Sequence, residues 1–218
     1  TTTGPSSAYR TRTGEATGDD FGTELSCGDV NGDGYDDLLV GSPDYDTNKG
    51  RIYVYFGSAT GPGSLPNQLL TGASGEDYGT DFQVVGDLDG DGYDDLVVAL
   101  EEDNSNTGRL DIYSGGAAGL NTSAPVVIYG SKVGGYFGKE FRAAGDINDD
   151  GFADVLVQSS DVTELFYGYD VDTDGDGHSD SIDCDDTDAT IHPGAAELCD
   201  GVDQDCDGTA DEGVTTTF

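Results

Sequence analysis

Short apolar runs separated by Gly-, Asp- and Asn-rich turns make up the chain as far as Tyr169. Leu38–Val40, Leu96–Val98 and Val155–Val157 are too short for helices and are rich in branched residues, which predicts buried strands. A second run follows each of them: Arg51–Phe56, Arg109–Ser114 and, more weakly, Thr163–Tyr167. Gln68–Thr71 and Pro125–Tyr129 add a further strand to the first two units. An aromatic-glycine pair precedes each unit's first run (Phe21-Gly22, Tyr78-Gly79, Phe137-Gly138), so the pattern is a repeat of about 60 residues. It stops at Asp170, beyond which almost nothing is apolar.

Between the aromatic-glycine pair and the first run of each unit lies a charged loop. In the first unit it places Asp29, Asn31, Asp33 and Asp37 at positions 1, 3, 5 and 9, with Gly34 sixth. Alternating oxygen donors around a glycine turn suit a hard cation that takes six to eight oxygens, with the carbonyl of Tyr35 as a further ligand. The same word recurs as Asp87, Asp89, Asp91 and Asp95 with the Tyr93 carbonyl, and as Asp146, Asn148, Asp150 and Asp154 with the Phe152 carbonyl. Two more copies lie beyond Asp170. One uses Asp172, Asp174, Asp176 and Asp180 with the His178 carbonyl, and Asp183 falls at position 12. The other uses Asp203, Asp205, Asp207 and Asp211 with the Thr209 carbonyl. About five Ca2+ sites are therefore expected. Asp185, Asp186, Asp188, Glu197 and Glu212 are spare acids, expected in solvent.

These residues resemble the FG-GAP repeat of integrin α-subunit propellers, in which a calcium loop lies between the first two strands of a blade. Phe21-Gly22 and Gly41-Ser42-Pro43 stand at the two segments that name the repeat, although Ala99-Leu100-Glu101 and Gln158-Ser159-Ser160 depart from the second. The resemblance implies an all-β fold of three propeller-type blades, each of about four antiparallel strands. It carries over no ligand-binding residue. The stretch Asp183–Gly208, with Cys184, Cys199 and Cys206, resembles the Asp- and Cys-rich metal-binding motif of bacterial surface proteins and, more loosely, the thrombospondin type 3 calcium repeat. A small irregular tail stabilised by calcium and disulfides is implied.

The expected organisation is an N-terminal segment (1–17), three repeats over 18–169 (about 18–74, 75–133 and 134–169), the calcium-binding tail (170–213) and a Thr-rich end (214–218). Three blades are too few to close a ring. Unit three lacks an outer strand, and Ala8–Thr13 looks like one whose blade lies elsewhere. Exchange of that strand between copies would give a ring or a filament, so self-association is one expectation.

Composition narrows the function. With 45 acidic against 8 basic residues and a net charge of −37, neither nucleic acid nor an anionic membrane surface is an expected partner. No apolar run is long enough for membrane insertion. Thr1 suggests a processed or trimmed start. Four Cys and many calcium words point to an extracellular or cell-surface setting. Cys27, aligned with Val85 and Ala144, reads as a buried free thiol, and a pair within the tail is expected. His178 and His192 are not spaced as a metal pair. Asn121-Thr-Ser123 is a possible glycosylation sequon. No nucleophile elbow, zinc-protease, P-loop or dinucleotide motif occurs, so no enzyme is expected. Three readings remain: a calcium-binding structural or adhesion protein that self-assembles, a monomeric propeller fragment of a larger cell-surface protein that binds an extracellular protein or glycan, and a calcium-dependent polysaccharide-active enzyme.

Overall fold

The apolar runs of the first two units form strands buried on both faces, and that of the third is buried on one face, with Leu156 exposed on the other. The computed structural model describes residues 11–123, 125–169, 174–178, 183–185, 187–211 and 213. Its strands are β1 (Leu25–Gly28), β2 (Asp37–Ser42), β3 (Arg51–Tyr55), β4 (Gln68–Thr71), β5 (Asp81–Gly86), β6 (Asp95–Leu100), β7 (Arg109–Tyr113), β8 (Val126–Tyr129), β9 (Glu140–Gly145), β10 (Asp154–Gln158) and β11 (Thr163–Phe166). They make three antiparallel sheets in the orders β1-β2-β3-β4, β5-β6-β7-β8 and β9-β10-β11. Each apolar run is the second strand of its sheet, and each charged loop joins the first strand to the second. This is the blade expected from the sequence, with four strands in two copies and three in the last.

Stacking of the sheets makes the core. Leu39, Ile52, Val54 and Leu70 of the first blade pack on Phe82, Val84, Leu96, Val98 and Tyr113 of the second. Val97, Leu110 and Val85 of the second pack on Phe141, Val155, Val157 and Phe137 of the third. Neighbouring residues of one strand thus face opposite blades, as the two-residue period requires. The first joint also buries a polar pair, Tyr78 OH donating to Tyr113 OH at 2.7 Å.

Cys27 corrects the sequence expectation, because it is exposed rather than buried. The register explains why. Cys27 pairs with Leu38, and Val84, not Val85, pairs with Leu96. Val85 and Ala144 are the extra residues of β-bulges in β5 and β9, and β1 has no such bulge. Cys27 therefore matches Val84, which faces the preceding blade, and no described residues stack a blade in front of the first.

Within the N-terminal segment, Ala8–Arg10 of the anticipated outer strand lie outside the described residues, and Thr11–Thr13 form no strand. Arg12 instead lies over the Tyr55 ring, 5.3 Å from its centroid, and donates to the Pro62 carbonyl at 2.9 Å. Glu15 accepts from Tyr53 OH and pairs with Arg51 at 2.9 Å. The described part of the tail contains no strand. It is stapled by a Cys184–Cys206 disulfide, while Cys199 is free and exposed.

Candidate cation centres

The three blade loops share one hydrogen-bond pattern. In loop one the Asp29 carboxylate accepts from Gly34 N at 2.7 Å and from Asp33 N at 3.1 Å. Asp33 accepts from Tyr35 N at 3.0 Å. In loop two Asp87 accepts from Gly92 N at 2.9 Å and Asp91 from Tyr93 N at 3.0 Å. In loop three Asp146 accepts from Gly151 N at 2.9 Å and Asp150 from Phe152 N at 3.0 Å. The sixth glycine needs φ near +90°, and the values are +84°, +85° and +99°. The carboxylates at positions 1 and 5 are thus held by the turn that they enclose.

Position 9 is fixed more firmly. Asp37, Asp95 and Asp154 are buried, and each spends both oxygens on backbone N–H groups. One oxygen accepts from the second loop residue: Val30 N at 3.2 Å, Leu88 N at 2.7 Å and Ile147 N at 2.6 Å. The other accepts from a glycine just past the third strand of the blade: Gly57 N at 2.7 Å, Gly115 N at 2.8 Å and Gly168 N at 3.0 Å. The sequence reading missed these glycines. Their signal is a Gly at one offset after every second run. A Cβ on Gly57 would lie 2.4 Å from the Asp36 carbonyl, and one on Gly168 2.5 Å from Phe152 Cβ.

This arrangement concentrates negative charge in a dry place. Burial pushes the Asp37 carboxyl up to about 6. Burial, and then the Asp89 charge, push that of Asp95 up to about 8. The carboxylate oxygens of Asp87, Asp89 and Asp95 converge within 4.8 Å. Asp89 Oδ2 accepts from Ser114 Oγ at 2.6 Å, whereas Asp89 Oδ1 is buried and has no hydrogen-bond partner. A buried carboxylate oxygen without a donor is costly, and a cation among these acids would satisfy it. The donor set is all oxygen and fits a hard cation.

In the tail, Asp174, Asp176 and Asp183 bring oxygens within 4.8 Å of one another, and Asp176 accepts from His178 N at 2.7 Å. Asp172 and Asp180 of that loop lie outside the described residues, as do Asp186 and Glu212. In the last loop Asp203 and Asp205 converge with Glu197. Glu197 is not a free surface acid: it accepts from Gln204 N at 2.7 Å, Asp205 N at 3.1 Å and Asp211 N at 2.7 Å. Asp207 accepts from Thr209 N at 2.9 Å. Asp211 Oδ1 accepts from Asp200 N and Gly201 N at 2.9 Å each. Asp185 and Asp188 are exposed and hold local turns with Thr187 and Thr190. His178 and His192 stack with ring centroids 4.6 Å apart, a contact that their spacing did not suggest.

Comparison with known proteins agrees with this geometry. The FG-GAP repeat family matches residues 21–55, an FG-GAP-like repeat family matches 87–157, and the Cu-binding_MopE metal-binding motif matches 183–212. The chain is 34% identical over 154 residues to integrin alpha-4 of Xenopus laevis, covering 66% of this chain. It is 37% identical over 159 residues to human integrin alpha-IIb, again covering 66%, and 30% identical to integrin alpha-6 of Gallus gallus, covering 70%. It spans 15% of the length of each of these relatives. The chain thus carries FG-GAP repeats similar to those regions of integrin α-subunits, followed by a metal-binding motif of the Cu-binding_MopE kind.

Proposed function

We propose that this is an extracellular, calcium-binding structural and adhesion module. Its cations stiffen β-blades, and the blades present a surface to a protein or glycan ligand. The carrying observation is Asp89 Oδ1, buried in loop two without a donor beside the two further carboxylates of Asp87 and Asp95. Calcium is favoured over softer metals because three of the four clusters among the described residues offer only oxygens, and the two sulfurs of the fourth, Cys184 and Cys206, are tied in a disulfide. Similarity to integrin α-subunits supports an extracellular, non-enzymatic role. Among the described residues no helix is long and apolar enough to cross a membrane.

Thermal unfolding tests the reading. A site held at a hundred times its Kd adds about 2.7 kcal/mol, so several loops together should raise Tm by about 10 °C or more between chelator and millimolar calcium. Equal melting temperatures in the two conditions would reject calcium as a structural ligand.

Self-association by strand exchange is a second reading. It is favoured by the third sheet, which among the described residues has three strands where the others have four, with β11 at its edge. Light scattering with and without chelator decides it, and a stable monomer in both would end it.

A further inference from the structure

We infer that Asp94, which is no ligand of loop one, is a positioning residue for loop one's cation and couples that site to the docking of the second blade. The inference rests on the calcium reading above and adds a cross-blade element to it.

Asp94 occupies position 8 of loop two, yet both its polar ends engage loop one. Its Oδ2 accepts from Asp29 N at 2.8 Å, and its own N–H donates to the Asp29 carbonyl at 3.2 Å. The backbone of loop one's first ligand is therefore clasped on both sides by the neighbouring blade. The Asp29 side chain meanwhile orders Asp33 and Gly34. Two further contacts close the clasp. The Tyr93 ring covers Gly32, where an added Cβ would lie 2.5 Å from Tyr93 Cε1. Gly116 N donates to the Val30 carbonyl at 3.1 Å.

The second joint is the internal control. Ala153 N donates to the Asp87 carbonyl at 2.7 Å, and Tyr169 N to the Leu88 carbonyl at 2.7 Å, so the backbone half of the clasp is kept. Ala153 stands where Asp94 stands and has no carboxylate to offer Asp87 N. A hydrogen bond to an ionised acceptor is among the stronger ones in a protein. Loop one is consequently preorganised from outside by a charged group, and loop two is not.

The amides of Gly34 and Gly92 report the two loops separately, because each donates to the first-position carboxylate of its own loop. The full chain labelled with 15N-glycine is titrated with buffered Ca2+, and the two amide resonances give two midpoints. Asp94→Ala should weaken loop one about tenfold and loop two less than threefold. Asp94→Asn, which keeps an acceptor for Asp29 N, should keep loop one within about threefold of the parent and guards against misfolding of the alanine variant. A simple charge effect gives a different pattern: Asp94→Asn, which also removes the charge, would then weaken loop one as much as Asp94→Ala does, and that result would overturn the inference. A loss at loop two equal to or larger than that at loop one would overturn the inference, as would loop-one midpoints indifferent to Asp94→Ala. No calcium response of either amide in the parent protein would remove the calcium reading itself.

Discussion

At the scale of single residues, burial of acids is the dominant electrostatic fact, and it extends beyond the loops. Asp81 opens β5 in a cleft with Glu24, Glu101, Glu140 and Arg142. Burial, and then Glu24, push its carboxyl from 3.8 up to about 6, Arg142 opposing and Glu140 and Glu101 adding to the rise. The unfolded chain ionises freely near 3.8, whereas the folded chain holds the proton until about 6. Stability is therefore lost as pH rises across that window, and the loss is complete above it. Asp81→Asn should stabilise the protein by about 1–2 kcal/mol at pH 7.5 and by nothing measurable at pH 3.5. Urea unfolding at the two pH values checks this, and an equal effect at both would show that ionisation is not the cause. Sequence showed Asp81 only as one acid among 45. Its cleft is built by strands far apart in the chain, so spacing alone carries no sign of it. The acids of the charged loops could be picked out because they lie within nine consecutive positions.

At the scale of elements, strand positions were readable because two-residue alternation and glycine-bounded runs are local. The bulges at Val85 and Ala144 were present in the spacing as well: Gly22 to Asp29 is one residue shorter than Gly79 to Asp87. The connections from the second to the third strands were not readable. Asp46, Thr47 and Asn48 have φ of 46°, 64° and 62°, and Asn104, Ser105 and Asn106 have 48°, 60° and 62°. Three consecutive left-handed residues make a turn that L-amino acids disfavour by about 1–2 kcal/mol each. Contacts from the following blade hold the turns, with Gly75 N and Asp77 N donating to the Asn48 carbonyl and Tyr136 N to the Asn106 carbonyl. A local reading cannot anticipate an element that is fixed from the next repeat. Thr47 is the poorest fit, since a β-branched side chain is crowded at positive φ. Thr47→Asn should stabilise the fold by about 0.5–1 kcal/mol in chemical denaturation. A destabilised variant would mean that the threonine side chain makes up for its strain through contacts.

At the scale of the whole molecule, the repeat predicts equivalent positions, but packing makes them unequal. The second residue of each loop is Val30, Leu88 and Ile147, with 0%, 5% and 52% of its surface exposed. The first two are covered by the blade that follows, and the described residues place no blade after the third. Leu156 shows the same break, being exposed where Leu39 and Val97 are fully buried. The polar position beside it changes too. Ser26 Oγ accepts from Val84 N at 2.9 Å and Gln83 Oε1 from Ala143 N at 3.1 Å, both bonds crossing to the next blade. Arg142 holds the same register position opposite Leu156, and its guanidinium can only donate. The last face is thus half apolar and carries a donor where the inner joints carry an acceptor. Truncation separates the three sites. Val30→Ala and Leu88→Ala should each cost about 2 kcal/mol or more by loss of packing and creation of a cavity. Ile147→Ala should cost less than about 0.5 kcal/mol, as expected of an exposed side chain. The measurement is calcium-saturated unfolding at low and high protein concentration. A cost at Ile147 that stays small throughout leaves this face free in solution. A cost that grows with concentration puts Ile147 in a contact between copies, because only an intermolecular joint gains stability by mass action.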